Sequence, residues 1–160
     1  MVSCIFATFN ISMKGKAIKW QNVFGYHLIL DCYGCDPKSL ATLDICYRYL
    51  NTLTKIMKVH KQSEPFVVTT DASKFPDKAG ISGWVPIVES GISIHTLTPT
   101  RFISIDVYSC KKYSIEKVKA LTQEIFSPEE IEEKFFLRGE KYFHPNKNIR
   151  LNKKAIKKLL

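Results

Sequence analysis

The chain has 160 residues, 45% of them hydrophobic, and a formal net charge of +9. That length supports one proper core and leaves too little chain for two, and no apolar run approaches the twenty residues of a membrane-spanning helix. The charge is local, since Lys147, Arg150, Lys153, Lys154, Lys157 and Lys158 supply six of the nine units.

A basic tail over 146–160 with a near-balanced body argues against a nucleic-acid-binding protein. The five cysteines, Cys4, Cys32, Cys35, Cys46 and Cys110, are odd in number and irregular in spacing. They predict free thiols in a reducing cytoplasm rather than a disulfide scaffold. Residues 1–20 read as an N-terminal extension. Their apolar patch has no positive charge ahead of it and no small-residue cleavage pattern, which is not how a signal peptide reads.

In chain order, the first core strand is predicted at Gly25–Tyr33, "GYHLILDCY", where apolar residues dominate and partly alternate. Gly34 and Pro37 break it. A helix is predicted over Ser39–Val59, capped by Asp36 or Ser39, because Leu40, Leu43, Cys46, Tyr47, Leu50, Leu53 and Met57 recur three or four apart. A short strand follows at Pro65–Thr70, then a loop, "DASKFPDKAG". The apolar segment Ile81–Thr96 is long for one strand and is read as two, meeting near Glu89–Gly91. Phe102–Cys110 alternates as a strand. Ser114 caps a second helix that presents Ile115, Val118, Leu121 and Ile125, and "EEKFFLRGEKYF" closes the body as an edge strand. This order predicts an α+β fold, a two-layer sandwich with two helices on one face of a mostly antiparallel sheet.

The chemistry concentrates in "VESGISIHT" and one cysteine beyond it. Glu89, Ser90 and His95 interrupt an apolar segment, and buried polar groups are costly unless paired. Ser90 can serve as a nucleophile, but it lacks the Gly-x-Ser-x-Gly elbow of hydrolases. His95 sits across the turn from it if the chain reverses near Gly91; a core histidine bound to a backbone carbonyl is the plainer alternative. Cys110 ends a strand expected near the Ser90 segment, where it is either a working thiol or an inert buried one. "CYGC" (Cys32 to Cys35) has redox or zinc spacing, without the second pair that zinc needs.

These residues resemble a known family. "GISGWVPIVESGISIHT" followed by "IDVYSC" is similar to the pyruvoyl-dependent S-adenosylmethionine decarboxylases of the short bacterial and archaeal type, and the likeness reaches from "GYHLILDCYGCDP" to "FFLRGEKYF". The domain is thereby placed at 21–145. The resemblance implies self-cleavage between Glu89 and Ser90, in which the Ser90 hydroxyl forms an ester with the preceding carbonyl. Elimination then leaves a pyruvoyl group as the cofactor, with no metal. By the same resemblance Ser82 holds the oxyanion, His95 moves the proton, and Cys110 is the proton donor to the decarboxylated substrate, which is carried as a Schiff base. Phe75 and Glu89 are the implied substrate-binding residues, and the implied assembly is a homodimer.

The chain departs from the family pattern at Gly91, where a His is usual. It departs again at Leu97-Thr98-Pro99, where Trp-Pro-Glu is usual. Those departures leave three readings open: decarboxylation of S-adenosylmethionine for spermidine synthesis, the same chemistry on ornithine or arginine, and an inactive regulatory paralogue.

Overall fold

The computed structural model describes residues 23–142; the extension expected over 1–20 and the tail expected over 146–160 lie outside them. Nine main elements follow in order: β1 (Gly25–Tyr33), α1 (Pro37–Ala41), α2 (Leu43–Met57), β2 (Phe66–Thr69), β3 (Ile81–Ile87), β4 (Ser90–Leu97), β5 (Phe102–Ser109), α3 (Ile115–Phe126) and β6 (Glu130–Arg138). The strands form one sheet in the order β2-β3-β4-β5-β1-β6, and every neighbouring pair is antiparallel. This is the α+β arrangement expected, with a short additional helix.

The period-2 alternation of the strands decides which face meets the helices. Leu28, Leu30, Ile81, Val85, Ile87, Ile92, Ile94, Ile103, Ile105 and Val107 point to the helical side and are almost completely buried. Their neighbours Ser82, Trp84, Ser93, His95, Ser104 and Asp106 alternate with them and remain half-buried or exposed. One side of the sheet is therefore core, and the other is an open face carrying the polar side chains.

The single helix expected over Ser39–Val59 is two. Asp36 caps α1, accepting from the Ser39 amide at 2.8 Å and from its hydroxyl at 2.7 Å. Thr42 then leaves helical geometry (φ −104°, ψ 110°), its hydroxyl donating to the Lys38 carbonyl, and α2 starts along a new line against β2, β3 and α3. The break also rotates the buried stripe. Tyr49 is fully buried, whereas Leu43 is 41% exposed and Tyr47 reaches outward to Glu64. The last strand also shifts. It begins at Glu130, earlier than expected, and stops before Gly139, which takes φ 69°.

Candidate active site

β3 and β4 are joined by the two residues Val88 and Glu89, and the register pairs Ile87 with Ser90. A two-residue hairpin normally places its positive φ on loop residues. Here φ is 140° at Ser90 itself. Such backbone costs a non-glycine residue about 1–3 kcal/mol and persists only where its surroundings enforce it.

Several contacts enforce it. The Glu89 carbonyl, the acyl side of the Glu89–Ser90 bond, accepts a 2.8 Å hydrogen bond from the Cys110 amide. Ser90 pairs with Ser109 at the end of β5, one residue before Cys110. The Glu89 carboxylate, only 12% exposed, accepts from the His60 main-chain amide at 3.0 Å and from its Nδ1 at 2.9 Å. Burial alone would raise the Glu89 carboxyl, but the two bonds from His60, together with a bond to its own main chain and the His60 charge, outweigh it and hold the group below its usual range. Cys110 is exposed, with a free thiol. The structure thus brings Glu89, Ser90 and Cys110 together.

Ser82 and His95 form a second group. They are cross-strand partners, and Ser82 Oγ lies 2.9 Å from His95 Nδ1. They line a shallow hollow of about 260 Å³ on the open face with Phe66, Val68, Trp84 and Asp106. The expectation that His95 faces Ser90 across a turn at Gly91 is not met, because the chain reverses at Val88–Glu89 and His95 lies on the same strand. Five residues at about 3.3 Å each set the two roughly 16 Å apart. Phe75 lies beyond the Ser82 end of β3. It is 56% exposed, in a loop tied to the end of β4 by the Thr98 amide on the Ala79 carbonyl at 2.8 Å.

Gly91 lies beside the Trp84 ring: a Cβ there would stand 3.0 Å from the indole nitrogen, a tight contact that the half-exposed Trp84 side chain relieves by giving a few tenths of an ångström. Neither Trp84 nor His60 was singled out from the sequence. A lone His in a polar connection and a Trp in an apolar strand carry no spacing signal. Cys32 and Cys35 are fully buried. Burial, aided for Cys32 by Cys35 and Asp31, pushes their thiols up to about 12 and about 11. Among the described residues no cluster of three or more His, Cys, Asp or Glu could hold a metal ion, and no helix is long and apolar enough to cross a membrane.

Residues 26–139 match the family model described as S-adenosylmethionine decarboxylase. The chain belongs to that family. It is 31% identical over 117 residues to the S-adenosylmethionine decarboxylase proenzyme of Clostridium botulinum strain Langeland, covering 72% of this chain and 95% of the relative. The proenzyme of Thermococcus onnurineus is 30% identical over 109 residues, covering 62% of this chain and 72% of the relative. The crystal structure of the adenosylmethionine decarboxylase from Aquifex aeolicus has the same fold, with a TM-score of 0.63 at 24% identity over 73% of this chain and 92% of that one. The members of this family are pyruvoyl-dependent carboxy-lyases.

Proposed function

We propose that the chain is a self-cleaving proenzyme that makes a pyruvoyl group from Ser90 and decarboxylates S-adenosylmethionine, supplying the aminopropyl donor of spermidine. The carrying observation is the Glu89–Ser90 bond: a serine held at φ 140° with the carbonyl before it bound to an amide. In the first step the Ser90 oxygen bonds to the Glu89 carbonyl carbon, the carbon–nitrogen bond breaks, and the nitrogen gains the proton. The Cys110 amide is the donor to the charge that grows on the Glu89 oxygen. Loss of the Ser90 Cα proton then expels Glu89 as a carboxylate, and water replaces the nitrogen as ammonia. The pyruvoyl group supplies an electron sink for the pair released with carbon dioxide. Cys110, exposed beside Ser90, returns a proton to the substrate carbon.

Ser82 and His95 cannot assist from roughly 16 Å away in the same chain. The open face supports an assembly that solves this. Phe66, Val68, Trp84 and Phe136 lie exposed on it, and two sheets stack at about 10 Å. In a twofold pair each surface meets its own copy, and an axis passing midway along β4 sets Ser90 of one protomer against the partner's Ser82 and the partner's His95. Free thiols at Cys32, Cys35, Cys46 and Cys110 fit a cytoplasmic enzyme.

The test mixes two uncut variants. Ser90→Ala lacks the nucleophile and His95→Ala lacks the proton carrier, so neither cuts alone. Co-expressed with distinguishable tags, the His95→Ala chain is cut, because its Ser90 receives His95 from the other copy. Heterodimers that form and stay uncut would return the pair to action within one chain. Leu97 and Pro99 offer neither a flat ring nor a carboxylate to a nucleoside, so ornithine and arginine are the competing substrates. Carbon dioxide release is measured from all three in parallel, and the larger release is expected from S-adenosylmethionine.

A further inference from the structure

We propose that His60 is a positioning residue for self-cleavage: it fixes Glu89 from the side-chain end while the Cys110 amide fixes it from the carbonyl end. The proposal rests on the self-cleavage reading above. It starts from the connection after α2, a polar stretch with no regular structure that nevertheless runs beside the end of β3. The Val88 amide donates to the His60 carbonyl at 2.8 Å, and the Gln62 amide donates to the Pro86 carbonyl at 3.0 Å. Lys61 bridges to Ile87 between them. Three successive residues thus form a strap along Pro86–Val88, against the turn that ends in Ser90.

The strap is also linked to the other support of Glu89. Lys111 Nζ, one residue after Cys110, donates to the Lys58 carbonyl at the end of α2. The corner carrying the Cys110 amide and the strap carrying His60 are therefore tied to each other. Between them, Glu89 is held by its carbonyl oxygen on one side and by both carboxylate oxygens on the other.

An ordinary surface ion pair contributes little, because both partners are solvated and mobile. This pair differs in two respects. The carboxylate is 12% exposed although the imidazole is 77% exposed, so the acid is the fixed member. A single residue also supplies two donors, one of them backbone, which sets the direction of the carboxylate as well as its charge. With both ends of Glu89 held, its carbonyl keeps one orientation toward the Ser90 oxygen. Near-attack geometry of this kind is where positioning changes a rate.

The test times cleavage of the full chain after cell-free synthesis, by the appearance of the two fragments. His60→Ala is expected to slow cleavage about tenfold, the lower end for one hydrogen bond to a charged group. His60→Asn places an amide N–H where Nδ1 stands and should come within about threefold of wild type, whereas His60→Gln places it near Nε2 and should stay slow. In a Glu89→Ala background, His60→Ala should slow cleavage no further. Equal rates for the Asn and Gln variants would overturn the proposal, and so would the same slowing with and without Glu89. The Asn–Gln comparison holds even if the Ala variant fails to fold. A wild-type chain that never cuts would instead sink the self-cleavage reading, and this one with it.

Discussion

Ser90 takes φ 140° although a glycine follows it, and this inversion explains what the sequence concealed. Glycine is the usual occupant of such backbone, so Gly91 reads as the turn, and His95 then falls opposite Ser90. The structure sets Gly91 in ordinary strand backbone beside Trp84 and leaves the strain on the serine. Ser90, His95 and Cys110 stood out by type and spacing and Ser82 only through the family resemblance; their division into two groups did not show, because the position of the turn decides it. Two outcomes follow at this scale. Cys110→Ala keeps the backbone amide and should still cut, yet release carbon dioxide at least a hundredfold more slowly, the usual worth of a positioned acid. Turnover at the wild-type rate would reduce Cys110 to a bystander. The second concerns acid. Glu89 is held below the ordinary carboxylate range of about 4.3, so its stabilisation is complete above that value and fades as pH falls through the depressed one. Uncut Ser90→Ala should therefore lose more stability between pH 6 and pH 3 than Ser90→Ala/Glu89→Gln, read by urea denaturation; equal losses would remove Glu89 from the balance.

Among the elements, the strands were legible from alternation and the helices from their apolar spacing, while the break at Thr42 was not. A β-branched residue can sit inside a helix or end one, and only the demand that α1 and α2 follow different lines makes it an end. The same break exchanges Tyr47 for Tyr49 as the buried ring. Tyr49 is fully buried and packs edge-on against Phe126 with centroids 4.9 Å apart. Its hydroxyl lies 2.7 Å from Thr122 Oγ1, which also donates to the Val118 carbonyl. Tyr49→Phe keeps the ring and removes one bond, and is expected to destabilise by about 1 kcal/mol. Phe126→Ala empties a core site and should cost about 3–5 kcal/mol. Chemical denaturation of uncut Ser90→Ala chains measures both, and a Phe126→Ala effect no larger than Tyr49→Phe would mean that the ring pair is not what joins α2 to α3.

At the scale of the whole molecule, cleavage would divide the elements between residues 1–89, with β1, β2, β3, α1 and α2, and residues 90–160, with β4, β5, β6 and α3. The strand order does not respect that division, since β1 of the first piece lies between β5 and β6 of the second, and β3 lies against β4. The pieces are woven, so each keeps only one strand pair of its own, β2-β3 in the first and β4-β5 in the second, too little for a stable sheet. An uncut chain that is denatured and diluted regains its sheet by a unimolecular search, with partners already tethered. A cut one must first bring two separate strands of polypeptide together, and then insert one between two ribbons of the other. Recovery of far-ultraviolet circular dichroism should thus be independent of concentration for Ser90→Ala, and slower, concentration-dependent and incomplete for the processed protein. Matching recoveries would show that the pieces fold alone. Otherwise the proposed cleavage makes maturation a one-way passage: the fold is attained as a single thread, and the bond that made it easy to attain is the one given up.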